Sequence, residues 1–462
     1  MSATTTASLV ARLDRLPSCR YFYKVVALIA IGGWFEFYEL FMPGGIALGL
    51  IKKSHIYTAS HAGMFALDSF ATFLATFFLG MFVGAILFTQ MSDKFGRLAT
   101  FTWSMLLYSA AMAVMAFMSA PPVIDALRFV CGLAISIQLI NNDAFISEIT
   151  PTRYRGRFMA FAIMVVLTAE PAVAGISWLF VPHAPLGLDG WRWVILLGSV
   201  GGVIVWWVRR GIPESPRWLA TQGRLAEAEA AMAAVEAHVA RDTGRPLPAP
   251  AAPSDIAVAT HGAWREMFRR PYLSRTIMLS LFQFCQTIAA FGFLIWVPII
   301  LVREGFTVVH SLGYTVAITL LVPVGGLLGL VFAEHFERKW QLVGTAVGIG
   351  VFGIGFSQAH SVPMILITGC LLTLAMNWLI AIFHPYAAEL YPTRIRAQAV
   401  GFTFSWSRIS AILVGYAVTF LLSVYGVVGV FAMIAVAMAA IVLSIGIMGP
   451  RTNNLSLEVI SR

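Results

Sequence analysis

The sequence predicts an all-α membrane protein with twelve transmembrane helices in two pseudo-symmetric six-helix halves, joined by a cytoplasmic helical mid-chain loop. The first observation is composition: 59% of the 462 residues are hydrophobic and only 11% are charged, with a mean hydropathy of +0.82. Soluble chains carry about 25% charged residues. The second observation is a repeated motif, and the third is a series of twelve long apolar runs.

The repeated motif occupies residues 148–157 (EITPTRYRGR) and residues 389–398 (ELYPTRIRAQ), which lie 241 residues apart. Residues 93–97 (DKFGR) and 334–338 (EHFER) have the same separation, so two landmarks share one register. Each copy of the motif follows an apolar run, contains a proline that disfavours a continuous helix, and carries arginines typical of a cytoplasmic loop. We interpret the chain as a duplicated unit.

The apolar runs are long enough for membrane spans, since a bilayer needs about 20 helical residues. Charges, prolines or glycines bound each run. The predicted spans are residues 21–50, 68–91, 98–119, 121–147, 157–181, 191–210, 274–302, 310–333, 339–358, 361–388, 398–424 and 426–449.

Residues 211–272 differ in composition from the runs on either side. Residues 222–241 are rich in alanine and glutamate and favour a helix that is too polar to cross a bilayer. We therefore divide the chain into a cytoplasmic amino-terminal segment (1–20), an amino-terminal half (21–210), a cytoplasmic linker with short helices (211–272), a carboxyl-terminal half (273–449) and a cytoplasmic tail (450–462).

Basic residues indicate the orientation. Between the predicted spans and at their ends, the side opposite the amino terminus holds only Lys52, Lys53, Arg192 and Arg303. The positive-inside rule then places both termini in the cytoplasm of a multi-pass plasma membrane protein, for which we expect a bacterial inner membrane. The net charge of +9 is divided among short loops, which argues against a nucleic-acid partner.

The sequence carries no motif for ATP binding, zinc binding or nucleophilic catalysis. We therefore expect no enzyme activity, no metal site and no cofactor. The expected partners are the lipid bilayer and a small-molecule substrate, and we expect a monomer.

Several motifs resemble the major facilitator superfamily. They are SDKFGR (92–97) after the second run, RFVCG (128–132) in the fourth run, and PESPRWL (213–219) in the linker. The last is similar to a signature shared by sugar porters, organic-ion transporters, niacin transporters and relatives of the synaptic-vesicle glycoprotein. The resemblance implies a secondary active transporter that works by alternating access around a central site.

Two further motifs resemble the metabolite branch of that superfamily more than the sugar porters. They are ELYPTR (389–394) and WVP (296–298). The resemblance implies import, with protons, of a small organic anion such as an aromatic or heteroaromatic monocarboxylate, for example niacin. A sugar symporter, an organic-cation or multidrug exporter and a ligand-sensing protein without net flux stay open as alternatives.

Charged residues inside the apolar runs are candidates for proton coupling. An ionised side chain at the bilayer centre costs at least ~2.5 kcal/mol, so each needs a partner, water or a function. Glu36 and Glu39 share one helical face and resemble the paired acids of proton-coupled relatives. Arg128 and Glu170 complete the set. The alternative for Glu36 and Glu39 is that one acid is satisfied by a fixed pair and the other lies near the membrane interface, and the alternative for Arg128 is a static pair with a neighbouring helix.

Arg408 in the eleventh run is the candidate for a substrate carboxylate, because a guanidinium binds carboxylates through two parallel hydrogen bonds. Aromatic and amide side chains in other runs could bind a flat polar ring, although most such residues serve packing. These candidates are Trp34, Tyr38, Trp296, Asn377, Trp378, His384 and Tyr416. Gln283 and Gln286 are further candidates, because they resemble the paired glutamines with which sugar porters bind hydroxyls.

Charged residues at the cytoplasmic ends of the runs are candidates for a cytoplasmic gate that holds the two halves together in one conformation. The alternative is that they serve only to orient the protein in the membrane. The candidates are Asp93, Arg97, Asp143, Glu148, Arg153, Arg155, Glu334, Arg338, Glu389, Arg394 and Arg396.

The charge distribution makes a prediction about topology. In a variant without its native cysteines, a single cysteine introduced near Met1, Pro250 or Leu457 should resist an impermeant maleimide added to intact cells, because each region is predicted to be cytoplasmic. A cysteine at Lys53 serves as the accessible control. Labelling at Pro250 from outside would contradict the topology.

Overall fold

The computed structural model describes residues 6–59, 63–88, 91–250, 264–333 and 335–453, and it is all-helical, which confirms the predicted fold class. Within these ranges, twelve helices are long and apolar enough to cross a membrane. We number them span 1 to span 12: Arg20–Lys53, Phe70–Leu87, Arg97–Met115, Pro121–Ile149, Thr152–Phe180, Gly190–Gly211, Tyr272–Phe293, Val308–Phe332, Arg338–Ser357, Val362–Glu389, Arg394–Val424 and Gly426–Met448.

Several spans are interrupted. Span 1 is an α-helix over Arg20–Leu48 that continues as a π-turn over Gly49–Lys53. Span 5 breaks at Thr168, three residues before Pro171, whose ring lacks the N–H that would bond the carbonyl of Leu167. Span 5 consists of Thr152–Tyr154, Arg155–Leu167 and Ala169–Phe180. Span 6 consists of Gly190–Ser199, Gly201–Val208 and Arg209–Gly211. Span 8 consists of Val308–Thr319 and Val322–Phe332.

Span 7 differs from the prediction of one continuous helix up to residue 302. The helix ends at Phe293, and a second helix covers Val297–Arg303. Pro298 explains the break, because it cannot donate a hydrogen bond to the carbonyl of Leu294, four residues earlier. The intervening turn carries Trp296 into the contact between the two halves described below.

Short helices lie outside the spans, at Thr6–Asp14, Met91–Phe95, Pro185–Gly187, Pro216–Thr221, Leu225–Thr243 and Trp264–Phe268. The amino-terminal helix is fastened to the linker helix Leu225–Thr243 by ion pairs. Arg12 contacts Glu229 and Glu236 at 2.6 Å each, and Arg15 contacts Glu236 at 2.5 Å. The linker helix is therefore bound to the amino-terminal part of the protein.

The packing of the spans repeats between the halves. Spans 2 and 3 pack on span 4, as spans 8 and 9 pack on span 10, and span 1 packs on span 5 as span 7 packs on span 11. Between the halves, span 2 packs on span 11 and span 8 packs on span 5, which are equivalent pairs under the sequence repeat. The structure thus has the pseudo-symmetry that the repeated motif predicts.

One difference between the repeats concerns the turn before spans 3 and 9. Gly96 has a φ of 100°, a conformation that side chains rarely adopt. The equivalent residue, Glu337, has a φ of −57°, so the tight turn that the glycine allows in the first copy is absent from the second. Glu337 instead accepts a hydrogen bond from the backbone N–H of Thr452 at 2.9 Å.

Two glycines bring spans 2 and 4 into close contact. A Cβ at Gly132 would overlap the carbonyl oxygen of Phe77, and a Cβ at Gly80 would overlap that of Phe129. Gly132 lies one helical turn after Arg128, so this crossing sets the depth and direction of the Arg128 side chain.

Gly132→Ala should therefore lower the thermal stability of the purified protein in detergent. The added methyl group must separate two backbones, a kind of overpacking that costs about 1–3 kcal/mol. The matched control is Gly175→Ala, where a Cβ meets no atom within 4 Å, and where helix propensity favours alanine by roughly 0.5–1 kcal/mol. Equal melting temperatures of the two variants would contradict the close-crossing argument.

Candidate transport site

An ion pair in the amino-terminal half joins Glu39 of span 1 to Arg128 of span 4. Nη1 of Arg128 donates to Oε1 of Glu39, and the two side chains are 1% and 0% exposed. The guanidinium carbon lies 4.6 Å from the ring centre of Phe73 and 4.4 Å from that of Phe77. These rings exclude water and stabilise the cation from the side of span 2.

Glu36 lies one turn before Glu39 and has different partners. Its Oε1 accepts a hydrogen bond of 2.8 Å from Nδ2 of Asn142 in span 4. Asp143 follows Asn142, is exposed, and is close enough to repel the Glu36 carboxylate. The structure therefore separates the two acids of span 1 into an ion pair and an amide-bound carboxyl group.

Glu170 is buried at the start of the second segment of span 5. Its Oε1 has no hydrogen-bond partner among the described residues. A carboxyl group in such surroundings is costly to ionise, so Glu170 fits a group that carries a proton. Its role in coupling stays a prediction.

Arg408 in span 11 is only partly buried and lies against an aromatic ring. Its guanidinium carbon is 4.8 Å from the ring centre of Phe404. The same ring lies 6.3 Å from the imidazole of His384 in span 10, which is exposed. No hydrogen bond or ion pair of Arg408 occurs among the described residues, in contrast to Arg128. The structure thus brings together two of the predicted substrate residues, Arg408 and His384, around Phe404.

Other predicted substrate residues of the carboxyl-terminal half have partners within that half. Nε2 of Gln286 lies 3.3 Å from Oε1 of Gln283, and Asn377 donates to the carbonyl of Thr373 at 3.0 Å. Trp378 donates to Gln341 at 3.1 Å and stacks on Phe332. Of these groups, Oε1 of Gln286 is buried without a hydrogen-bond partner among the described residues.

Trp34 and Tyr38 also form contacts within their own half. Nε1 of Trp34 donates to Oγ1 of Thr168, at the break in span 5, at 3.0 Å. The Tyr38 hydroxyl is buried and donates to the carbonyl of Val194 in span 6 at 2.8 Å. Tyr38 therefore points away from the centre between the halves, and this position favours packing over the predicted contact with substrate.

Trp296 and Tyr416 lie where the two halves meet on the predicted outer side. Trp296 is fully buried, with its ring 5.5 Å from that of Phe70 in span 2. The Tyr416 hydroxyl is 3.4 Å from Oγ1 of Thr72, and its ring is 4.9 Å from that of Phe65. These positions favour a role in closing the outer side, rather than the predicted role in binding substrate.

Small residues complete this contact. A Cβ at Gly44 of span 1 would lie 3.0 Å from the backbone of Ile295, in the break of span 7. A Cβ at Gly415 would lie 3.5 Å from the backbone of Ala71. The halves are thus packed against each other on the predicted outer side.

The predicted cytoplasmic gate residues form pairs inside each half. Arg97 contacts Asp93 at 2.7 Å and Glu148 at 2.8 Å, and Arg338 contacts Glu389 at 2.6 Å. We expected such pairs to hold the two halves together. The arrangement differs because the acids and the base of each motif come from adjacent spans of the same half.

Glu214 of the linker joins the first of these clusters. Its carboxylate accepts hydrogen bonds from the backbone N–H groups of Arg97 and Leu98 at 3.2 Å, at the start of span 3. Burial raises the pKa of Glu214 above its ordinary value, although these N–H groups favour the charged form. The PESPRWL segment is therefore anchored to the same corner as Arg97.

The remaining gate candidates have local contacts. Arg394 pairs with Glu266 of the linker, and Arg153 lies 5.5 Å from the ring centre of Tyr154. Arg155 donates to Thr152 at 3.3 Å, and Arg396 donates to the carbonyl of Tyr391 at 3.2 Å. Glu334 lies outside the described residues.

Sequence reasoning missed the aromatic partners of both arginines. Phe404 lies four residues before Arg408, so helical spacing could have found it. Phe73 and Phe77 share the same spacing with each other, but they lie on span 2, and nothing local to Arg128 indicates them. Asp125 was also missed as a buried acid, because an acid near the end of an apolar run resembles the ordinary boundary of a loop.

Comparison with known proteins covers almost the whole chain. Residues 25–462 match the family model described as "Sugar (and other) transporter". YyaJ of Bacillus subtilis (strain 168) is 30% identical, over 96% of this chain and 95% of its own length. The niacin transporter NiaP of Acinetobacter baylyi is 27% identical, over 98% of this chain and 99% of its own length.

Solved structures agree on the fold. The inward-open xylose transporter XylE from E. coli has a TM-score of 0.75, with 16% identity over 95% of this chain and 99% of that one. Its partially occluded inward-open form has a TM-score of 0.76 at 16% identity, over 94% of this chain and 99% of that one.

Proposed function

Because the chain belongs to the sugar (and other) transporter family of the major facilitator superfamily and is a transporter, not an enzyme, we propose that it imports a small organic anion together with protons. The proposed substrate class is an aromatic or heteroaromatic monocarboxylate, with nicotinate as the first candidate. The niacin transporter among its relatives supports this choice of test compound.

The observation that carries the substrate class is Arg408. It is a guanidinium within a membrane span, and no acid pairs with it among the described residues. The cost of such a cation requires an anionic partner or water. A carboxylate on a flat ring could pair with the guanidinium while its ring lies near Phe404 and His384.

Proton coupling is supported by the acids of the other half. Glu39 is buried in direct contact with Arg128, so binding of a proton to Glu39 would break an ion pair that joins spans 1 and 4. Such a step converts a change in protonation into a change in helix contacts. Glu36 and Glu170 are the further candidates for the proton.

A proton-coupled sugar symporter is the second candidate. The free Oε1 of Gln286, beside Gln283, could accept a hydrogen bond from a sugar hydroxyl. A thermal-shift panel of monocarboxylates, sugars and organic cations, followed by counterflow in proteoliposomes, separates the two. Nicotinate counterflow supports the anion proposal, whereas stabilisation and counterflow by a pentose or hexose alone would replace it.

Arg408→Gln should weaken nicotinate binding by roughly 10- to 100-fold, because hydrogen bonds to charged groups contribute about 1.5–3 kcal/mol. Arg408→Lys keeps the charge but loses the paired hydrogen bonds, so its affinity for nicotinate should lie between those of the wild type and Arg408→Gln. Binding is measured by isothermal titration calorimetry on purified protein.

Nicotinamide provides the matched ligand for this test. It should bind the wild type more weakly than nicotinate, and Arg408→Gln should weaken it little further, because the two changes remove the same interaction. Equal binding of acid and amide to the wild type would show that Arg408 does not bind a carboxylate.

Glu39→Gln should retain nicotinate counterflow but lose accumulation driven by a pH gradient, because glutamine imitates the protonated form and cannot release a proton. Both activities are measured in proteoliposomes, with Glu36→Gln and Glu170→Gln as companions. Normal gradient-driven accumulation by Glu39→Gln would remove Glu39 from the coupling mechanism.

A further inference from the structure

Asp125 is a buried acid near the outer end of span 4 that the proposed mechanism has not used. Its side chain is 4% exposed. Oδ1 accepts a hydrogen bond of 2.8 Å from the hydroxyl of Tyr57, in the loop between spans 1 and 2. Oδ2 is buried and has no hydrogen-bond partner among the described residues. One carboxylate oxygen is therefore available to a further donor.

The nearest cation along the same helix is Arg128. Asp125 and Arg128 are three residues apart and lie on one face of span 4. Phe73 contacts both the residue that holds Asp125 and the arginine, since its ring is 5.2 Å from that of Tyr57 and 4.6 Å from the guanidinium carbon of Arg128. The guanidinium is thus paired with Glu39 and lies within electrostatic range of Asp125.

Proton coupling through Glu39 creates a physical problem at this position. When Glu39 takes up a proton, the guanidinium of Arg128 loses its counter-ion while it remains 1% exposed. Removing one partner of a buried pair is strongly destabilising, because it leaves an uncompensated charge. A transport cycle that passes through this state needs a second anion within reach of Arg128.

We propose that Asp125 is this second anion, and that Arg128 turns one helical step outward to Asp125 whenever Glu39 is protonated. The inference rests on the proposed proton coupling through Glu39. The proton comes from water and binds a carboxylate oxygen of Glu39, while Arg128 keeps its charge and Asp125 stays ionised. Asp125 is therefore a positioning residue for the coupling reaction, held in place by Tyr57.

Other titratable groups near this cluster do not supply the anion. Tyr108 of span 3 and Cys131 of span 4 lie within electrostatic range of both Glu39 and Arg128. The Tyr108 hydroxyl is 3.2 Å from the carbonyl of Phe35, and Sγ of Cys131 is 3.9 Å from the carbonyl of Tyr108. In these contacts the hydroxyl and the thiol are donors to backbone carbonyls, so neither side chain presents an acceptor to Arg128.

The test is a cycle of melting temperatures on purified protein in detergent, measured without ligand. Glu39→Gln and Asp125→Asn should each lower the melting temperature modestly, because Arg128 keeps one acid in either variant. The double variant should lose more than the sum of the two single shifts. Adding Arg128→Met to the double variant should recover the loss, because the uncompensated charge is then gone.

A static role for Asp125, limited to anchoring Tyr57, gives different results. The two single shifts would then add, and Arg128→Met would recover as much stability in Glu39→Gln alone as in the double variant, because without Glu39 the arginine would already lack a counter-ion. Either outcome overturns the proposal. If the double variant fails to fold, the single variant decides: Arg128→Met should recover little in Glu39→Gln, where Asp125 still pairs with the arginine, and full recovery there overturns the proposal.

A transport measurement links the cycle to coupling. Asp125→Asn should keep nicotinate counterflow and slow pH-driven accumulation, whereas Asp125→Glu should restore accumulation. Wild-type accumulation by Asp125→Asn would overturn the proposal. The melting temperatures are measured without substrate. They therefore test the role of Asp125 even if nicotinate is not the transported anion.

Discussion

The requirement that a charge inside the membrane be neutralised organises the amino-terminal half. Arg128 has an acid on span 1, aromatic rings on span 2, and a depth set by the glycine crossing of spans 2 and 4. Each of these contacts involves a different helix, so the arginine holds three spans in one arrangement. A change in its charge partner is therefore felt by all of them.

The carboxyl-terminal half also carries an arginine inside the membrane, but its charge has no acid partner among the described residues. Arg408 has an aromatic neighbour but no acid among the described residues, so the partner is left to come from outside the chain. The two halves share a pattern of helix packing and differ in their charges. Under the proposed function, one half binds the proton and the other binds the anion, and the symmetric packing between them relates the two events.

The fold could be predicted from the sequence because apolar length and loop charge are local properties. The positions of the spans followed from them, whereas the breaks within spans 5, 6, 7 and 8 did not. In span 7, Pro298 ends a run that hydropathy alone treats as continuous. The repeat at residues 148–157 and 389–398 also predicted which spans are equivalent, and the packing agrees.

The site was less predictable, because the direction of a side chain depends on contacts between distant spans. Trp296 and Tyr416 have the residue types of a binding pocket, yet the packing of span 7 on span 1 and of span 11 on span 2 places them in the contact between the halves. Asp125 is the converse case, because the sequence offered no reason to select it. Its burial becomes evident only from the position of Tyr57, which donates a hydrogen bond to it.

The two equivalent interfaces between the halves, span 2 with span 11 and span 8 with span 5, have a kinetic consequence. The interface of span 2 with span 11 includes small residues, Gly415 and Ala71, whose backbones lie close together. Stronger contacts at these interfaces would slow the movement of one half against the other, and with it turnover, even where the binding residues are intact. A compound or lipid wedged there would lower the maximal rate and leave the Michaelis constant nearly unchanged, as a non-competitive inhibitor does.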